Sequence, residues 1–332
     1  MDKNINSVGI LYVATGKYTI FFDKFYQSCE ENLFPGVKKI YHVFTDSDIP
    51  LRKYVDNIKV LPVRNEGWPG NTLFRYHMFF HHFDKLNGDF LLFLNANTEI
   101  VRPISLEELI PSDGKYFTVA HHPYYYQETN LFKLPLEKNP ESKAYISDFN
   151  LQYTYVGGGF IGGYKDYFLS LTKSLVSSIN DDLKNKIIAQ WHDESHFNKF
   201  INEHRGIVYF KTPEYFYPLE FKINKNITPE SLKNIEEKII IIPKELLGGH
   251  SFLRGNNKDD QFSLMFNNSL VQEMFKVKTT ENKYKWIKIY NDDIFDTKTF
   301  SLGRIVDRGL DYIDVIWNNG GLQKIKLNND EG

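Results

Sequence analysis

The alternation of apolar and polar positions is interrupted most plainly at Phe90–Leu94, where five consecutive residues are apolar. Asn87-Gly88 precedes the run as a turn, and polar residues follow it. A run this short suits a strand buried on both faces, as in a parallel α/β sheet, better than a free-standing helix. Residues 8–14, 39–44, 59–63 and 117–120 read as further strands. Phe22, Phe25, Tyr26 and Cys29 recur at helical spacing within residues 21–32, and Pro35-Gly36 ends that helix. Gly67-Trp68-Pro69-Gly70 reads as a loop, and residues 73–86 as the helix after it. Strand–helix–strand order at this spacing predicts parallel strands joined by right-handed crossovers. Beyond residue 256 the pattern changes. Residues 284–290, 312–317 and 322–327 look like short strands, and Asn319-Gly320-Gly321 suits a hairpin turn. The chain is thus expected to hold an α/β domain over residues 1–256 and a small β-rich appendage over 257–332.

The candidate chemistry lies at the ends of these elements. Ligands of open α/β sheets bind beyond the carboxyl ends of the strands. Asn95-Ala96-Asn97 stands at such an end. Extended backbone would turn both amides to one side. Carboxylates there would make a divalent-metal site for a diphosphate; as amides, the two residues read equally as turn formers. The first strand leads into no GxGxxG fingerprint, and Tyr12 and Tyr18 are its candidate stackers for a nucleotide base. Adjacent His121 and His122 point apart on a strand and make a poor metal pair, whereas an imidazole among the tyrosines that follow suits a sugar site or plain packing. Residues 153–163 contain five glycines. That segment reads as a nest-forming loop, or as backbone that a ligand approaches closely.

Residues 187–203 are the densest in chemistry. His192 and His196 have the spacing of a zinc-protease helix, but Asp193 stands where that motif has its Glu, so the match fails. One reading is a helix start with Asp193 as N-cap and Glu194 in the first turn. The other is a sugar site, with Trp191 for stacking and carboxylates for hydroxyls and chemistry.

Composition narrows the class. Of 332 residues, 42% are hydrophobic and 16% aromatic, which excludes a disordered chain and allows a large core. A formal net charge of −2 gives no field for nucleic acid or anionic membrane. Cys29 is the only cysteine, so an internal disulfide and a thiolate metal cluster are excluded, as suits a reducing cytoplasm. No apolar run has membrane-spanning length, and the N-terminus does not read as a signal peptide. A cytoplasmic location is expected.

WHDESHFNKF at residues 191–200, followed by TPEYFY at 212–217, resembles glycosyltransferase family 6. That family includes the mammalian histo-blood-group A and B transferases, the α1,3-galactosyltransferase and shorter bacterial, metal-independent relatives. Other segments follow in the family's order, from about Val8 to Arg254. The resemblance implies a GT-A-like nucleotide-sugar-binding fold with a mostly parallel sheet. It implies retaining α1,3 transfer of GalNAc, or less favourably Gal, from a UDP-sugar to a galactose-terminated, blood-group-H-like glycan. Glu194 carries over as the catalytic carboxylate. Val13, Thr15, Tyr18, Trp68, Arg75, Asn95, Asn97, Gly157, Gly158, Gly159, Asp193, Lys244 and Arg254 carry over to the donor. His122, Trp191, His192 and His250 carry over to the acceptor. Asn95 and Asn97 replace the family's DxD metal ligands, so no metal and no other cofactor is expected. Pro218 replaces an acceptor-contacting acid, and Lys244 is out of register with the family's tail lysine. The glycine triplet is expected to leave room for an N-acetyl group. A catalytically weak nucleotide-sugar or glycan-binding module is the alternative, and retention of Glu194 speaks for the enzyme.

Overall fold

The computed structural model describes residues 5–53, 55–146, 153–254 and six strand segments between 273 and 326. The chain divides into two compact units, Met1–Pro243 and Lys244–Gly332.

The first unit is built on seven strands in the order β3-β2-β1-β4-β7-β6-β8. These are β1 (Ser7–Val13), β2 (Lys38–Thr45), β3 (Ile58–Pro62), β4 (Phe90–Leu94), β6 (Phe117–His121), β7 (Val156–Tyr164) and β8 (Val208–Lys211). The pairs β1–β2, β2–β3, β1–β4 and β6–β8 are parallel, as the element order predicts. Only β7 runs against its neighbours β4 and β6. Three further short strands, β5 (Thr98–Ile100), β9 (Tyr217–Pro218) and β10 (Ile239–Ile241), form a second sheet in the order β5-β10-β9.

The period of two along β4 sorts its side chains onto two cores. Phe90, Leu92 and Leu94 pack with Phe22, Phe25 and Cys29 of α1 (Phe22–Asn32). Leu91 and Phe93 pack with Phe79, Phe168 and Phe197 on the other face. All five β4 side chains are buried, which explains the uninterrupted apolar run. The second face is covered by α3 (Arg75–His81), α5 (Lys165–Lys184) and α6 (Asp193–Glu203). A short α4 (Leu106–Leu109) opens on a capping box made by Ser105 and Glu108.

Three expectations need correction. Residues 67–70 are not a loop: they open α2 (Gly67–Leu73), which gives way to α3 at Phe74. The glycine-rich stretch is not a nest. It is β7, buried at every position, and the glycines admit neighbouring side chains. A Cβ on Gly162 would collide with the Phe90 ring, and one on Gly163 would lie 3.0 Å from Phe117. Tyr12 is not a stacking surface, because it is fully buried against Phe22 and Phe25 and donates its hydroxyl to the Ala96 carbonyl.

The second unit includes α7 (Gly249–Leu253), after which the Arg254 guanidinium lies 3.2 Å from His250 Nδ1. It continues as an antiparallel six-stranded meander: β11 (Glu273–Lys278), β12 (Tyr284–Tyr290), β13 (Asp293–Asp296), β14 (Ser301–Arg308), β15 (Tyr312–Trp317) and β16 (Leu322–Lys326). The expected turn at Asn319-Gly320-Gly321 lies outside the described residues. Among the described residues, no helix is long and apolar enough to cross a membrane.

Candidate active site

The carboxyl ends of β1 and β4, the start of β7 and the start of α6 supply the residues singled out by sequence. At the head of α6 the Glu194 N–H donates to the Trp191 carbonyl at 3.0 Å, closing a tight turn. His192 occupies the turn at φ 53° and ψ −126°, a conformation that ordinarily selects glycine. Holding a β-carbon there costs on the order of 1–3 kcal/mol. His192 is therefore the N-cap position, and Asp193 is the first helical residue rather than the cap.

Two asparagines hold the helix in place. Asn198 accepts from the Val156 N–H at 2.8 Å and donates to the Val156 carbonyl at 3.0 Å. Asn202, one turn on, does the same with Thr154 at 2.9 and 3.0 Å. Each side-chain amide thus continues the sheet's hydrogen bonding into the helix. The same amide groups also donate back to the Glu194 and Asn198 carbonyls at 3.0 and 2.8 Å.

This anchorage presents Glu194 to β7. Its Oε2 accepts from the Gly158 N–H at 2.7 Å, and its Oε1 from the Tyr155 hydroxyl at 2.7 Å. A Cβ on Gly158 would lie 2.9 Å from Oε2, so the carboxylate's seat requires glycine. Beside it, Asp193 Oδ2 pairs with Arg75 Nη2 at 2.8 Å. Arg75 also donates to the Gly158 carbonyl and stands 4.6 Å from the Phe93 ring centre. Arg75 is therefore committed to Asp193 and the strand. Asp193 Oδ1 is buried and has no hydrogen-bond partner among the described residues. Burial pushes the Asp193 carboxyl up to about 7, against the pull of Arg75.

On the other side of Tyr155 lies His122, whose backbone N–H donates to the Tyr155 carbonyl at 2.9 Å. Its ring sits among Tyr125, Tyr155 and Phe216, with centres 5.1, 5.6 and 6.3 Å away. Burial lowers its pKa, so the ring is neutral, and Nδ1 has no hydrogen-bond partner among the described residues. His121 faces Tyr126 and Phe210 instead, as adjacent strand positions require. Trp191 is 46% exposed, suiting a stacking surface that contacts a ligand.

Asn95 and Asn97 do not project together. A turn replaces extended backbone, with the Thr98 N–H donating to the Asn95 carbonyl at 3.1 Å. Asn97 is buried, and its Nδ2 donates to the Ile242 carbonyl at 2.6 Å. Asn95 lies against Gly159, where a Cβ would collide with its amide and lie 2.7 Å from Phe216. A Cβ on Gly157 would likewise run into Phe216. The triplet thus does not open free volume: its Cα faces are already filled. Glu99, the nearest acid along the chain to this turn, is paired with Lys24 at 2.8 Å.

At the end of β1, Val13 is half-buried, Thr15 is buried, and the Gly16 N–H donates to Asp46 Oδ1 at 2.9 Å. Tyr18 packs partly buried against the core, 6.2 Å from Phe21. The side chain of Trp68 lies outside the described residues. Lys244, His250 and Arg254 belong to the second unit. His196 has no part in the site. Its Nδ1 lies 2.9 Å from Ser178 Oγ and its Nε2 3.5 Å from Asp182, and burial pushes its pKa to about 4.

Sequence reasoning missed Tyr155, Asn198, Asn202 and Phe216. The asparagines carry a signal, since two amides four residues apart share one helix face. Tyr155 carries none, because its partner is distant in sequence.

A central, mostly parallel sheet with paired carboxylates at the head of α6 defines an α/β protein with a candidate ligand site. The profile of glycosyltransferase family 6 matches residues 2–245. The chain is 34% identical over 221 residues to the O-antigen biosynthesis glycosyltransferase WbnI of Escherichia coli, covering 66% of this chain and 91% of that protein. It is 31% identical over 223 residues to histo-blood group ABO system transferase 1 of Rattus norvegicus, covering 64% of this chain and 61% of the relative. It is 28% identical over 239 residues to human globoside alpha-1,3-N-acetylgalactosaminyltransferase 1, covering 69% and 65%. The chain belongs to glycosyltransferase family 6. Its α/β architecture is GT-A-like. It is a glycosyltransferase that works with a sugar donor and a glycan acceptor.

Proposed function

We propose that this chain moves GalNAc, with retention, from UDP-GalNAc to a galactose-terminated, blood-group-H-like glycan in α1,3 linkage, without a divalent metal. The observation that carries the reading is the pair Asp193–Glu194, one carboxylate held by two donors and the other with a buried oxygen that has no partner among the described residues. Asp193 Oδ1 accepts from a donor-sugar hydroxyl in the complex, because an unpaired buried acceptor is costly until a ligand satisfies it. Glu194 then stands beside the sugar.

In the reaction the bond from the anomeric carbon to the β-phosphate oxygen breaks, and its electron pair leaves with UDP. The acceptor hydroxyl forms the new bond on the same face and gives its proton to the departing phosphate. Glu194 stabilises the oxocarbenium-like centre, or attacks it to form a glycosyl ester that the acceptor then displaces. The acceptor galactose lies on Trp191 and His122, with a hydroxyl donating to His122 Nδ1. His192 completes the acceptor side. Val13, Thr15 and Tyr18 take the uracil, Trp68 completes the donor side, and Arg75 holds Asp193 in place for it.

A divalent ion does not suit the Asn95–Asn97 turn. Hard cations want charged oxygens, and both side chains are neutral amides, one already tied to Ile242. Charge on the departing diphosphate is instead met by N–H groups donated by Asn95. GalNAc is favoured over Gal on the name of the human relative.

The test is UDP release by the purified full chain in EDTA, with UDP-GalNAc and UDP-Gal, with and without a galactose-terminated acceptor. Acceptor-dependent UDP release and an α1,3-GalNAc product are expected. UDP-sugar binding without turnover would establish a binding module instead.

A further inference from the structure

The Tyr155 side chain touches both Glu194 of α6 and His122 after β6. Its hydroxyl donates to Glu194 Oε1 at 2.7 Å, and its ring lies 5.6 Å from that of His122. Burial and the Glu194 charge push its pKa far above the usual phenol value, so the hydroxyl keeps its proton and remains a donor. Its neighbours Thr154 and Val156 are both clamped to α6 by asparagine amides, so the ring between them is placed by backbone.

We propose that Tyr155 is the positioning residue for Glu194 in the transfer reaction. It fixes one carboxylate oxygen while the Gly158 N–H fixes the other, and so aims the charge at the reacting carbon. It also keeps that charge in register with the acceptor hydroxyl on His122. The inference rests on the assignment of Glu194 to the chemical step.

The physical case is one of preorganisation. A carboxylate held by two donors has lost its rotational freedom before the substrate arrives. With the tyrosine hydroxyl gone, Oε1 is released and the carboxylate turns about Oε2. Ground-state donor binding, carried by Asp193 and the uracil contacts, is unaffected by that turn. The loss therefore falls on kcat.

The experiment uses the full chain with UDP-GalNAc and the acceptor it transfers to. Tyr155→Phe keeps the ring and removes only the donor. It is expected to lower kcat by about 10-fold and to leave donor KM within about twofold. In a Glu194→Ala background the same change is expected to cost less than about twofold, because a residue acting through Glu194 has nothing left to position. Replacing Tyr155 with 3,5-difluorotyrosine, which restores the hydroxyl, is expected to keep kcat within about twofold of the parent. This arm also decides the matter if the Phe variant fails to fold. A Phe variant with parental kcat, a full effect in the Ala background, or a difluorotyrosine chain as slow as the Phe variant would overturn the proposal. Absence of UDP release by the unsubstituted chain would instead overturn the transferase reading beneath it.

Discussion

Arg75 Nη2 lies 2.8 Å from Asp193 Oδ2, with both side chains buried and the two residues 118 positions apart. The contact joins the start of α3 to the start of α6, and Asp193 Oδ1 is left without a hydrogen-bond partner among the described residues. Burial outweighs the guanidinium and raises the Asp193 carboxyl to about 7. The folded protein thus binds a proton more tightly than the unfolded chain at this residue. Between about pH 4 and 7 that contribution makes stability fall as pH rises. Sugar binding needs the opposite form. The donor kcat/KM is expected to rise with pH until about 7, where Asp193 ionises. Asp193→Asn should flatten this rise in a pH–rate profile and lower kcat/KM about 100-fold.

Glu194→Gln keeps size and removes charge. Transfer should fall about 100-fold or more, while UDP-sugar affinity measured by calorimetry changes little. A Gln variant as active as the parent would remove Glu194 from the chemistry.

Gly159→Ala sets a methyl group against the Asn95 amide and the Phe216 ring. The methyl displaces Asn95 from the donor side, so UDP release should fall at least about 10-fold with UDP-GalNAc and UDP-Gal alike. Unchanged turnover would mean that this face of β7 does not shape the donor site.

Asn97→Asp deletes the N–H that Asn97 donates to the Ile242 carbonyl and sets a buried carboxylate against it. An unsatisfied buried group costs about 1–3 kcal/mol, so thermal melting should drop by about 5 °C. Manganese should restore neither melting nor turnover. A variant that binds manganese and gains activity would show that the turn still holds a metal.

Excess EDTA should leave turnover unchanged. Loss of activity on chelation with rescue by manganese would defeat the metal-free mechanism.

The sequence by itself determined what depends on neighbours along the chain. The five apolar residues of β4 and the periodicity of α1 are local patterns, and the structure reproduces both. Residues 191–200 stood out as the candidate chemical centre because their types stand together in order. Tertiary structure decided the rest. Five glycines in residues 153–163 read as a loop, since local propensity disfavours glycine in strands; they form β7 because Phe90, Phe117, Glu194, Asn95 and Phe216 need the space. Asn97 read as a turn former or metal-site relic, yet its amide is held by Ile242, 145 positions away. Tyr155 gave no local signal, because its meaning comes from Glu194, 39 positions on. Periodicity reports which face a residue presents. Only the folded chain decides what meets that face.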